Sequence, residues 1–298
     1  MKVPIDRTAP SISGLAAIGR KGMYWLRRAP CFGRQDVGIS PGGAMDRFAM
    51  HTGNILLGNA DDQEALEFLL PPEVEFLRPA YFVLTGGHFL ATLSRPGQPD
   101  QTVDHAAVSF APAGAVLSIG VRTRGLRGYL CARPCLTDHP DDEFLHRRRG
   151  RFAEEFSWFD PFGRIRVLEG PEYTWLREPE LFTRQYWTVS REASDMGIRL
   201  EGDAGPVAGG GNMISDVVAD GTIQLTPKGP IVLLKHRQTV GGYPRVYNVI
   251  SADVDLLAQF YPGQSLRFRK VSIAEAVTAV RQKRAQLEAL RGRYAAQR

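Results

Sequence analysis

The chain has 298 residues, of which 43% are hydrophobic and 23% charged, with a formal charge of +5 and a pI near 9.2. That length predicts about two domains and a core that needs neither disulfides nor structural metal. The composition excludes a disordered polyelectrolyte, and the absence of any 18-residue apolar run excludes a helical membrane span.

Strand signals dominate the chain order. Val74 to Leu77, Tyr81 to Thr85, Ala115 to Ile119, Gly128 to Ala132, Arg164 to Leu168, Tyr186 to Ser190, Thr222 to Thr226 and Ile231 to Leu234 are short runs rich in β-branched and aromatic residues. They are bounded by Gly, Pro or Asp, a spacing that suits barrels or sandwiches better than βαβ units. Helical patterns are few. Met45 to Leu57 repeats apolar residues at three-to-four spacing and stops at Gly58. Asp61 to Leu69 reads as a second short helix and Asp253 to Phe260 as a third. The last helix opens on the capping box Ser272–Glu275 and carries the stripe Ile273, Val277, Val280, Leu287, Leu290, with a tail expected to fray beyond about Arg291. A domain boundary is expected in the charged stretch Asp138 to Asp160, giving domains 1–145 and 146–298.

Three cysteines, Cys31, Cys131 and Cys135, are an odd, low count that predicts a reducing compartment. The first residues hold no apolar leader, so no signal peptide is expected and the predicted location is cytoplasmic. Basic residues are spread out except for Arg147, Arg148, Arg149 and Arg151, read as a solvated loop. Without an aromatic-interleaved basic motif, neither a nucleic-acid partner nor a membrane partner is expected. The C-x3-C-x3-H spacing of Cys131, Cys135 and His139 lacks a fourth ligand, and no metal site is predicted.

Three motifs carry candidate chemistry. The run Ile39-Ser40-Pro41-Gly42-Gly43-Ala44-Met45-Asp46-Arg47 makes a glycine turn leading into a helix, either an anion site built from main-chain N–H groups or a structural turn. Arg237-Gln238-Thr239-Val240-Gly241-Gly242-Tyr243-Pro244-Arg245 follows an apolar strand, and its two glycines allow close backbone approach to a ligand, or simply a strand connection. Met196-Gly197-Ile198-Arg199-Leu200-Glu201-Gly202 offers Arg199 as a carboxylate clamp or as a surface arginine. His88, after Gly86-Gly87, and His236, beside the second motif, are lesser candidates. No Walker A, Rossmann, G-x-S-x-G or H-E-x-x-H pattern occurs.

In type and order these motifs, with Leu84-Thr85-Gly86-Gly87, Arg166 to Pro171 and Ile250 to Gln259, resemble the allophanate hydrolase subunit 2 family, also known as the KipA type, which includes the C subunit of 5-oxoprolinase. The resemblance implies a mainly β fold of two cyclophilin-like β-barrel domains with a few short helices and a C-terminal helix. It implies a subunit 1 (KipI-like) partner, a lactam or urea-like amide substrate, and ATP used together with that partner; neither metal nor biotin is evident in this chain. Asp46 and Tyr243 are the implied catalytic residues. The implied substrate contacts are Pro41, Gly42, Met45, Arg47, Gly86, Gly87, Arg199, Gln238, Thr239, Gly241 and Gly242. The sequence departs from the family where Ala193-Ser194-Asp195-Met196-Gly197 stands for S-D-R-M-G, and where Arg133 to Arg149 replaces a glycine-rich, polar segment. Those departures keep two alternatives open: a regulatory, non-catalytic subunit, and a component of carboxyl transfer in a biotin-dependent urea carboxylase-like system.

Overall fold

The computed structural model describes residues 11–19, 21–95, 97–148, 164–208 and 213–295. The chain divides into two compact units. Met1–Ala29, Arg47–Ser157 and Gln286–Arg298 form the first, Pro30–Asp46 and Trp158–Ala285 the second. Much of the stretch expected to hold the boundary, residues 149–163, lies outside the described residues. Among the described residues no helix is long and apolar enough to cross a membrane.

The first unit is a nine-stranded half-barrel built on two long antiparallel strands, Ala80–Ser94 and Val116–Pro134. The two runs predicted within 115–132 are one strand. Likewise Tyr81 to Thr85 does not end at Gly86-Gly87 but continues through them. Register shifts between Gly86 and Ala91 bend the strand instead of ending it. Gly86 has φ +79°, and a Cβ there would stand 2.5 Å from the Arg127 carbonyl oxygen, so the bend requires glycine. The helix Arg47–Leu57 lies on this sheet. Gly53 faces Cys131, the Thr85 hydroxyl donates to the Ala49 carbonyl (2.8 Å), and Gly58 ends the helix in the left-handed region as predicted.

The helix expected over Asp61 to Leu69 is absent; Ala65–Leu70 is a strand between Met23–Arg27 and Val116–Pro134. Good helix formers fill this run, but tertiary partners override propensity. Leu66 and Phe68 enter the core on one face, while Glu67 is fully buried on the other. Its carboxylate accepts from the Tyr129 hydroxyl (2.6 Å), Arg127 (3.2 Å) and Arg27 (3.2 Å). Both guanidinium groups also lie over the Trp25 ring.

The second unit is a closed seven-stranded barrel. Its strands run in the order Arg164–Glu169, Arg245–Val249, Thr222–Thr226, Gly229–Leu233, Gly197–Glu201, Trp187–Val189 and Ser265–Lys270, and the last pairs in parallel with the first. Apolar residues alternate inward, and Phe182, Trp187, Tyr247 and Phe268 stack in the interior. At Gly170 the chain leaves the barrel against Arg245, whose carbonyl oxygen would stand 2.1 Å from a Cβ. The third predicted helix is one turn, Val254–Leu257. Asp253, just before it, takes a bidentate pair from Arg166 (2.9 and 2.6 Å).

The C-terminal helix spans Ile273–Ala295, and the Ser272–Glu275 capping box forms in both directions. The predicted stripe holds at Val280, which packs on the cluster of Ile250, Ala252 and Val271, and at Leu290, which is buried, but not at its start. Ile273 and Val277 are exposed, while Ala276 and Ala279 pack with Ile250, Ala252 and Val271, because small side chains allow the closer approach. Nor does the helix fray at Arg291. That residue pairs with Asp61 (2.7 Å), and Arg148 lies over the Tyr294 ring.

Glu67→Ala is expected to cost the first unit about 3–5 kcal/mol, because it removes the buried carboxylate that Arg27, Arg127 and Tyr129 share. Arg28→Ala, which removes an exposed partner of Glu64, should cost no more than about 1 kcal/mol. Hydrogen exchange over residues 65–70 and 128–131 during a urea titration reads this directly; equal protection in the two variants would contradict it.

Candidate functional site

The second unit gathers the Pro-Gly-Gly turn, the residues leaving strand Gly229–Leu233 and the helical turn Val254–Leu257. Gly42 and Gly43 both take positive φ, +63° and +85°, which wraps the backbone over the strand end. The Gly42 N–H donates to the Lys235 carbonyl (3.2 Å), and Nε2 of His236 lies 3.1 Å from the Gly43 carbonyl. A Cβ at Gly42 would press on the His236 ring at 3.2 Å. Lys235 is buried; its ammonium donates to the Ala44 carbonyl (3.2 Å) and to Asp255. Lys283 donates to the other oxygen of Asp255 (2.7 Å) and to the Ala252 carbonyl (2.8 Å). Asp46 is wholly enclosed, and its carboxylate accepts from Nε2 of Gln259 (2.7 Å), itself buried.

Burial alone would push the Asp255 carboxyl up, but Lys235 and Lys283 outweigh it and hold the group well below the usual carboxylate range. The next basic residue, Arg237, is buried beside Asp220 at 3.1 Å. Burial lowers its pKa and Asp220 partly restores it.

The Gln-Thr-Val-Gly-Gly-Tyr-Pro loop adjoins this cluster through Arg237. Val240–Gly241 pairs with Asp216–Val217, and the Thr239 carbonyl accepts from the Val218 N–H (3.1 Å). Gln224, buried on the barrel wall, donates to the Tyr243 carbonyl (3.1 Å) and accepts a long bond from Gln238 (3.5 Å). Gly241 lies flat on that carboxamide: a Cβ would stand 2.5 Å from its nitrogen. Gln238 and Tyr243 remain half-buried beside Gly241 and Gly242, while Thr239 is buried.

Other predicted residues lie elsewhere. Arg199 pairs with Glu192 (3.1 Å) and donates to Thr226 (3.0 Å), toward the Gly229 end of its neighbouring strand and away from the Lys235 end. Met45 belongs to the barrel core, and Pro41 is buried. Arg47, Gly86 and Gly87 are in the first unit. Cys131 is buried in the first unit, whereas Cys135 meets Thr137 and the His139 carbonyl. Among the described residues no group of three or more His, Cys, Asp or Glu gathers to hold a metal. Sequence reasoning missed Lys235, Asp255, Gln259, Lys283 and Gln224. The signals were a Lys-His-Arg run directly ahead of the glycine loop, and two acids and an amide inside an apolar turn.

Replacing Lys235 by Met should cost about 3 kcal/mol and loosen residues 31–46 in hydrogen exchange, since Asp255 keeps one cation and Ala44 loses its donor. The Asp255 contribution in the parent has a defined pH window. The folded carboxyl binds protons less readily than the unfolded one, whose pKa is near 3.8, so the stabilisation is complete above that value and lost as pH falls below it. The stabilities of parent and variant should draw together progressively as pH falls below about 4; a gap that stays constant would refute the assignment.

The chain matches the family described as carboxyltransferase domain, subdomain A and B, over residues 37–141 and 143–270. It is 30% identical to the C subunit of 5-oxoprolinase from Haemophilus influenzae over 87% of this chain and 92% of that protein. It is 31% identical to the Escherichia coli counterpart, also a 5-oxoprolinase C subunit, over the same shares. The crystal structure of the K. lactis urea amidolyase superposes with a TM-score of 0.79 at 19% identity, covering 93% of this chain but 20% of that one, a likeness of fold. With both subdomains matched in order and the two 5-oxoprolinase proteins related along nearly their whole length, the chain belongs to the family of carboxyltransferase domains, subdomains A and B.

Proposed function

We propose that the chain is a subunit of an ATP-dependent amidohydrolase of 5-oxoprolinase type, acting with a subunit 1 (KipI-like) partner on a lactam or urea-like amide. The observation that carries this reading is the second-unit cluster, where the Pro-Gly-Gly turn and the Gly-Gly-Tyr-Pro loop are each fixed by buried side chains. A relative covered over 92% of its length, a 5-oxoprolinase C subunit, supports the reaction class. In this reading Asp46, held by Gln259 and out of solvent, sets the Gly42–Gly43 main chain against His236. It acts by orientation, since its carboxylate is enclosed. Tyr243 and the amide of Gly242 present donors to a substrate carbonyl as negative charge develops on its oxygen, beside Gly241, which the Asp216 pairing holds in place. Arg199, already paired with Glu192 and placed at the other strand end, is less suited to hold the substrate's anionic group.

ATP supplies the energy of amide cleavage in such a reaction. The cluster is not built to clamp a triphosphate, because Lys235 is committed to Asp255 and Ala44 and Arg237 lies beside Asp220. The nucleotide therefore falls to the partner. A second reading, carboxyl transfer to a urea-like amide, has its support in the family description and in 27% identity to a putative urea carboxylase of Emericella nidulans, of which the chain spans 23%.

Co-expression with a subunit 1 homologue, followed by ATP hydrolysis with and without 5-oxoproline, tests the proposal. Substrate-dependent turnover by the complex alone is expected. Tyr243→Phe and Asp46→Asn should each lower kcat by about 10²-fold, the range expected when a positioned polar group is lost. A stable complex without turnover would favour a regulatory subunit, and turnover unaffected by both variants would remove these residues from the site.

A further inference from the structure

Gln224 is an amide on a strand whose neighbouring side chains are apolar. Ile223 and Leu225 belong to the barrel core, so Gln224 between them faces the other way, yet it is only 1% exposed. The loop 238–243 covers it. A carboxamide is buried without penalty only when its donor and acceptor ends are both met, and here the loop meets both. The pairing with strand Arg245–Val249 slips by a residue between Ile223 and Gln224, and the Leu225 N–H donates to the Pro244 carbonyl (3.0 Å). A bulge of this kind re-aims the chain that enters the strand, here Tyr243-Pro244.

The hydrogen bonds along this contact run in one direction. The Tyr243 carbonyl can only accept, so Gln224 turns its Nε2 toward it (3.1 Å). Its Oε1 is thereby left facing Gln238, and it accepts a long bond from the Gln238 Nε2 (3.5 Å). Gln238 has then spent its donor end on the wall, and its Oε1 has no partner among the described residues. The Tyr243 hydroxyl and the Gly242 N–H are likewise without a partner among the described residues, whereas Gly241 is taken up in the pairing with Asp216. One half-buried loop thus offers an acceptor and two donors, and a backbone carbonyl two hydrogen bonds away dictates which end of Gln238 is the acceptor.

We propose that Gln238 selects the substrate: its Oε1 accepts the N–H of an amide whose carbonyl oxygen takes the Gly242 N–H and the Tyr243 hydroxyl. An amide uses both sides of such a site only when its N–H and C=O share one edge. A lactam ring imposes that arrangement and urea offers it, whereas the trans amide of a peptide points the two groups apart. A lactone has no N–H and would leave the Gln238 oxygen unpaired, the situation that makes a polar site reject an isostere. Gln224 acts through Gln238, as a positioning residue. The assignment rests on the amide-cleaving function proposed above and names the chemical feature by which that site knows its substrate.

Calorimetric titration of the full chain tests it, with three probes: 5-oxoproline, the lactone of the same shape (5-oxotetrahydrofuran-2-carboxylate) and urea. The parent should bind the lactam at least about tenfold more tightly than the lactone, as one unpaired acceptor requires. Gln238→Met should weaken the lactam by about tenfold or more and leave the lactone within about threefold, so that the preference disappears. Because the preference is a ratio taken within one protein, it does not depend on how much of the variant is folded. Gln224→Leu, which frees the Gln238 amide to turn over, should give a preference between those of the parent and Gln238→Met. Urea bound in preference to 5-oxoproline, and lost in Gln238→Met, would keep the acceptor role and make a urea-like amide the substrate. Equal affinity for lactam and lactone in the parent, a preference kept in Gln238→Met, or no binding of any probe up to roughly 10 mM overturns the assignment. Turnover of 5-oxoproline by the complex then decides what falls with it: turnover leaves the reaction standing without Gln238, and its absence removes both.

Discussion

Asp255 lies out of solvent with an ammonium on each side, and a charge buried in this way is tolerated only while its partners stay in place. One of those partners, Lys235, also reaches the Ala44 carbonyl, so the same ion pair fixes the course of the Pro-Gly-Gly turn. From there the constraint spreads. The turn places Gly43 against His236 and brings Asp46 to Gln259, and residues 30–46 become part of a barrel whose strands begin more than a hundred residues later. A sheet closed by its own hydrogen bonds supplies the rigid wall, and the ion pair decides which segment is laid on it.

The wall also dictates where side chains are forbidden. Gly241 rests on the Gln224 carboxamide and Gly170 on the Arg245 backbone, both nearer than any Cβ permits. At these two positions glycine marks a place where backbone meets backbone or a fixed amide. Any ligand role of Gly241 is added to that packing requirement. Gln224 serves both neighbours of the loop at once, donating to Tyr243 and accepting from Gln238, which a hydrophobic residue of similar volume could not do.

What could be read from the sequence was what depends on near neighbours. The Ser272–Glu275 box, the stop at Gly58 and the strand Thr222–Thr226 all declare themselves within a few residues. The strand Ala65–Leu70 did not, because Glu67 is placed by Arg27, Arg127 and Tyr129, the last 62 residues away. The candidate site shows the same division. Its glycine loops were visible as motifs, whereas Gln259 and Lys235 act on partners 213 and 191 residues distant, and nothing local in a buried lysine announces its partner. In the C-terminal helix Val280 and Leu290 face inward as read, whereas Ile273 and Val277 are exposed and Ala276 and Ala279 take the packed positions.

The packing of Gly53 on Cys131 has a consequence for labelling chemistry. Burial pushes that thiol up to about 12, so it is inert toward maleimides at neutral pH. Cys31 is exposed and Cys135 is partly so, and they belong to different units. The unaltered chain therefore carries one reactive handle on each unit. A donor and acceptor dye pair would make it a ready-made molecular ruler for the distance between the two units in solution, and for any change in that distance when a partner or ligand is added.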